Sequence, residues 1–138
     1  MSDRSASRVR WGNPRRSGAV VVEFAVCLPV IIVLVVGAIE STSMTFLQNS
    51  LQVIAYETVR AAVRPDATDV GAHNRADQVI RERGVQDVTV TVQPTNLDAV
   101  TAGTPVTVTV TAATQSNGVL PLQFFGGAMT AQAVMIKE

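Results

Sequence analysis

One cysteine and one histidine are all that this chain of 138 residues holds of the two commonest soft metal ligands. Cys27, alone and inside an apolar run, excludes an intramolecular disulfide, so cysteine usage is silent on redox compartment. His73, in "DVGAHNRAD", has no second histidine or cysteine near it, whereas a metal site normally needs three or four ligands; it reads as a solvated loop residue. Asp66, Asp69 and Asp77 fit no calcium-loop spacing and read as solvated charges. Also missing are a nucleophile beside a base, paired carboxylates in a plausible pocket and a glycine-rich phosphate loop. "FFGGAM" is too short for such a loop, and its Gly126 and Gly127 read as a turn. These absences argue against an enzyme and leave no cofactor to expect.

What is present is unevenly distributed. The length suits one small domain, and 47% hydrophobic with 16% charged residues argues against wholesale disorder. The formal net charge of zero hides an asymmetry. Before Ala19, five arginines (Arg4, Arg8, Arg10, Arg15, Arg16) stand against Asp3, a net of +4; from Ala19 onward six basic residues face ten acidic ones, a net of −4. A basic head joined to an acidic body through an apolar stretch is the layout of a membrane-inserted chain with its head in the cytoplasm. Residues 1–17, with Gly12, Asn13 and Pro14 and the single tryptophan Trp11, read as a flexible leader. Arginines without a folded platform make a poor nucleic-acid site, and the span that follows makes them topology determinants first.

From Ala19 to Ile39, Glu23 is the only charged residue. At about 1.5 Å per residue, a helix of this length covers the hydrocarbon core of about 30 Å. Pro29 removes one backbone donor, which membrane helices tolerate. The helix is expected to continue beyond the membrane, since "ESTSMTFLQNSLQVIAYETVRAAVR" has no glycine or proline before Pro65. Leu47, Leu51, Ile54, Thr58 and Ala62 recur at helical spacing, with Phe46, Val53 and Val59 alongside, giving one apolar face that covers the domain's own sheet, the favoured reading, or binds a separate partner, and the two can hold at different heights. "PDATDVGAHN" then reads as a polar turn, and a short second helix is expected over "RADQVIRERG", closed by Gly84 with Val79 and Ile80 buried.

The last third changes period. "DVTVTV" (87–92) and "PVTVTVTA" (105–112) alternate valine and threonine, so that Val88, Val90 and Val92 share one face while Thr89 and Thr91 share the other. They form an antiparallel pair across the loop "QPTNLDAVTAG", and a third strand is expected at "AQAVMIKE". The expected fold class is α+β: a long N-terminal helix, transmembrane in its first half, packed on a small antiparallel sheet. The boundaries follow as a basic cytoplasmic leader at 1–18, the long helix at 19–64 with its membrane part at 19–39, and a small α+β extracytoplasmic domain at 65–138.

The stretch "RRSGAVVVEFAVC" (15–27) resembles the processing site of type IV pilin-like proteins, in the form glycine, four residues, Glu-Phe/Tyr found in tight-adherence (Flp/Tad) pilus systems. With its long helix, its two Val/Thr-rich strands and the closing "AVMIKE", the chain resembles the TadE-like minor pilin (pseudopilin) family. The resemblance implies a pilin-like fold and cleavage by a prepilin peptidase after Gly18, leaving Ala19 as the new N-terminus. Arg15 and Arg16 would hold that bond at the cytoplasmic face, and Glu23 and Phe24 would serve assembly or recognition. The implied partners are the lipid bilayer, the peptidase and other pilin or pseudopilin subunits of a Tad-type apparatus, with no nucleic acid. The implied location is the cytoplasmic (inner) membrane, crossed once, with the C-terminal domain outside. Cleavage would also free an α-amine, mostly protonated at neutral pH, that can pair with Glu23 of a neighbour or of the same helix.

A signal-anchored membrane protein with an extracytoplasmic binding domain explains the arginines and the span equally well, and leaves the spacing of Gly18 and Glu23 as coincidence. A secretory signal fits less well. The apolar run is longer than the usual core of about 7–15 residues, carries a charge and lacks an A-x-A site.

Overall fold

The computed structural model describes residues 14–119 and 126–138, with side chains from residue 18 onward. Most of the basic leader, including Trp11, therefore lies outside the described residues, as do the side chains of Arg15 and Arg16 and the middle of "NGVLPLQFFGG". The described elements run in the order helix α1 (Pro14–Ala62), helix α2 (Asp69–Arg83), strand β1 (Val88–Gln93), a short 3-10 helix (Leu97–Ala99), strand β2 (Pro105–Ala113) and strand β3 (Ala128–Ile136). This is the α+β arrangement expected: a long apolar N-terminal helix and a small antiparallel sheet.

The chain divides into two compact units, Met1–Gly37 and Ala38–Glu138. In the first, α1 starts at Pro14, a residue favoured at a helix start because its missing N–H would have no intrahelical partner there. The helix passes through Pro29 without ending. Large apolar side chains from Val20 to Val35 are exposed all round it, as a helix surrounded by lipid would present them.

In the second unit the rest of α1 becomes amphipathic. Leu47, Leu51, Ile54, Val59 and Ala62 are buried in one core with Val106, Val108 and Val110 of β2. Thr58 belongs to the same face because its hydroxyl donates to the Ile54 carbonyl at 2.7 Å, which satisfies it inside the helix. Phe46 departs from the expected stripe: it lies on the outward side of α1, while Val53 is half-buried.

The second helix is longer than the sequence reading allowed. It begins at Asp69, so "DVGAHN" is helical rather than a turn. The start signal is Thr68, whose side-chain oxygen accepts from the Gly71 amide at 3.0 Å while Asp69 places a negative charge in the first turn. His73 is accordingly an exposed helix residue, with Nδ1 2.8 Å from the Asp69 carbonyl. The helix closes on Gly84 at φ 65°, a left-handed cap that glycine adopts without penalty. Val79 is buried as expected and Ile80 is half-buried.

The strands pair antiparallel in the order β1-β2-β3, with Val90 opposite Val110 and Val110 opposite Ala131. Alternation puts Val106, Val108, Val110 and Ala112 of the central strand into the core, while Thr107, Thr109 and Thr111 face the other way. Val88 and Val90 are only half-buried, because β1 is an edge strand. The third strand starts three residues before the expected Ala131, and Thr130 joins the outer threonines through a 3.1 Å hydroxyl contact with Thr111.

Candidate functional site

The residues singled out at the N-terminus lie on consecutive turns of α1. Gly18 and Ala19 are its fifth and sixth residues, both exposed. Nothing in the fold asks for glycine at 18. A Cβ built there meets no atom within 4 Å, and the backbone does not have the positive φ that favours glycine. The absence of a side chain therefore matters to something outside the chain or not at all.

Glu23 follows one turn after Ala19, with Phe24 beside it, and both are exposed. Among the described residues Glu23 has neither a hydrogen-bond partner nor an ion-pair partner. The apolar neighbours Val20, Val21, Val22 and Val26 are exposed with it. The carboxylate is thus set in a surface that suits lipid or another apolar helix. There its charge has to be met by a cation or a proton, or reach the interface. Ala19 and Glu23 are four residues apart on one helix face, so a positive group at position 19 can reach the carboxylate within one chain or across to another.

A second carboxylate, which the sequence reading passed over, sits where the apolar run ends. Glu40 is only 5% exposed, and its Oε2 is buried without a hydrogen-bond partner among the described residues. It opens the covered stripe, one turn before the buried Met44, with Leu47 and Leu51 following. The spacing 40-44-47-51 is the signal that could have flagged it. Ser50, fully buried on the same half of α1, also has a hydroxyl without a partner.

No group of three or more metal-ligating side chains converges among the described residues. Cys27 is exposed on α1, where no second cysteine exists to pair with it.

These features define a class: an α+β protein led by a helix long and apolar enough to cross a membrane, with a carboxylate that has no partner among the described residues five residues beyond a glycine whose Cβ position is open. Residues 18–60 match the family model of TadE-like proteins, the family that the N-terminal motif resembles. No curated protein and no solved structure matches the chain.

Proposed function

We propose that the protein is a membrane-inserted minor pilin-like subunit, processed by a prepilin peptidase after Gly18, that takes part in assembling a Flp/Tad-type adhesive pilus or a related secretion apparatus. The observation that carries this reading is the family match, which starts at Gly18 and runs along α1 to Arg60. Its role is structural rather than catalytic: the apolar helix inserts in the inner membrane, the arginine-rich leader stays in the cytoplasm, and the sheet-bearing unit stands outside.

Two features of α1 support the processing step. Gly18 has no structural task of its own, which fits a residue kept bare for close approach by a protease. The bond after it lies within the first two turns of a helix, where fraying is easiest, and glycine weakens those turns by about 1 kcal/mol relative to alanine. Cutting there removes the leader and makes Ala19 the helix N-terminus, so that Glu23 stands one turn from it. A carboxylate near that end is favoured by no more than about 0.3–1 kcal/mol.

The test is the mass of the mature N-terminus from a host that carries its own prepilin peptidase. A chain beginning at Ala19 is expected; one that begins at Met1 or Ser2 overturns the processing claim.

A further inference from the structure

The last turns of α1 and the first turns of α2 enclose a cleft of about 440 Å³, lined by Glu57, Arg60, Ala61, Arg64, Gly71 and Arg75. Three arginines and one glutamate therefore line it. Arg75 is fixed in place: its Nη2 donates to Glu57 Oε2 at 2.9 Å and its Nη1 to Gln78 Oε1 at 3.1 Å. Glu57 is thereby engaged. Arg60, in the last turn of α1, and Arg64, two residues past its end, are exposed and have no carboxylate in ion-pair range among the described residues. The cleft therefore carries uncompensated positive charge on two exposed arginines beside the anchored Arg75. Arginine forks of this kind match carboxylate oxygens in two-point contacts.

The rest of the surface has the opposite sign. Of the six basic residues beyond Gly18, three line this cleft, and one of the others, Lys137, is buried. Outside the lining of the cleft the second unit exposes Asp66, Asp77, Glu82, Asp87, Asp98 and Glu138, against Arg81 and Arg83. The chain's own membrane is an unsuitable source of anions. Arg60 stands 21 residues beyond Ile39 on α1, about 30 Å at helical rise, several times the screening length of about 8 Å in physiological salt.

We propose that the Arg60–Arg64–Arg75 cleft is a docking site for the acidic surface of a second copy of this chain. A cleft meeting a different, acidic patch is a heterologous contact, which propagates into chains or rings instead of closing as a two-fold dimer. Opposite charges set the approach and orientation of the copies, and the contact weakens as salt screens them. The contact lies wholly within the second unit and does not depend on cleavage after Gly18, so the two ideas fail separately.

The experiment uses the full, uncleaved chain in a detergent that holds one chain per micelle, with association followed by sedimentation. Wild type is expected to form species larger than dimers at about 50 mM NaCl and to lose them at about 500 mM. The double variant Arg60→Ala/Arg64→Ala should weaken association about tenfold or more, whereas Arg81→Ala/Arg83→Ala, which removes the same charge elsewhere, should not. A charge-reversed Arg60→Glu/Arg64→Glu copy can be bound but cannot bind onward, so adding it to wild type should cap the assemblies at dimers. Circular dichroism of each variant, unchanged from wild type, separates loss of contact from loss of fold. Equal loss in both double-alanine variants overturns the proposal. So does the absence of salt-sensitive association, or saturable binding of inorganic phosphate at the arginines with no self-association.

Discussion

Lys137 and Leu97 are joined by a buried hydrogen bond, lysine Nζ to backbone carbonyl at 2.8 Å, across 40 residues of sequence. The same Leu97 donates its amide to Asp69 Oδ1 at 3.2 Å, so the short 3-10 helix is held at both backbone groups of one residue. Its fully buried side chain fills the core between them. A charged group that is 6% exposed is tolerable here because its ammonium donates to the Leu97 carbonyl, which also accepts the Val100 amide at 3.3 Å.

Lys137→Ala should therefore destabilise the second unit by about 1–3 kcal/mol, through loss of a buried hydrogen bond from a charged donor and of the packing of its stem. Asp69→Ala, which loosens the half-buried amide and removes a first-turn charge from α2, should cost about 1 kcal/mol. Urea unfolding of the full chain in detergent, read by circular dichroism, measures both. A loss within error for Lys137→Ala would mean that the loop is held without the lysine, by packing and by the Asp69 and Val100 bonds.

Ser50 gives the opposite sign. Its hydroxyl is buried with no partner among the described residues, whereas the nearby Thr58 hydroxyl is met by the Ile54 carbonyl. Ser50→Ala removes a desolvated polar group and improves helix propensity, so stability should rise by about 0.5–1 kcal/mol. Thr58→Ala should fall by a similar amount or more, since it leaves a gap in the core. The pair distinguishes an orphaned hydroxyl from a satisfied one at two buried positions of the same helix, and equal losses in both would show that Ser50 has a role in packing.

How much of this could be read from sequence depends on the range of the interaction. The period of α1 and the Val/Thr alternation of β1 and β2 are local, and local pattern is what the burial of Leu47, Leu51, Val106 and Val108 follows. The early start of α2 was local too, but the polar "DVGAHN" masks it unless Thr68 and Asp69 are weighed as a cap. Lys137 meeting Leu97, and Arg75 meeting Glu57 18 residues away, belong to the tertiary fold and have no periodic trace. Phe46 shows the limit from the other side. It is as apolar as its buried neighbours, yet helix geometry turns it outward.

Glu40 is a carboxylate whose burial a membrane reading of the chain would not suggest, since it follows the apolar run where water returns. Its unpartnered Oε2 means that the folded unit carries desolvated polarity at the start of its covered stripe. Glu40→Gln keeps the shape and removes the charge, and should raise stability by about 1 kcal/mol in the same urea assay. A loss of about 2 kcal/mol or more would show that the carboxylate has a cationic or water partner in solution.

Glu23 lies in different surroundings, and the expected result separates insertion from assembly. A charge at the middle of a membrane helix costs about 2.5–3.5 kcal/mol on insertion scales and less near the interface, so Glu23→Ala should insert as well as wild type or better. If the carboxylate serves only its own helix, pairing with a freed amine at Ala19, its loss should leave incorporation into pili or pilus-associated complexes intact. If it meets the amine of a neighbour, incorporation should collapse while insertion and cleavage continue. Co-expression then decides between the two. A Glu23→Ala subunit keeps a normal N-terminus, so it can still offer its amine to a wild-type Glu23 in another copy. Partial rescue by wild type, measured as the share of variant chain recovered with assembled subunits, is expected for pairing between subunits. An unassembled Glu23→Ala chain that wild type cannot rescue at any ratio would count against it, and full assembly of Glu23→Ala alone would remove the carboxylate from assembly altogether.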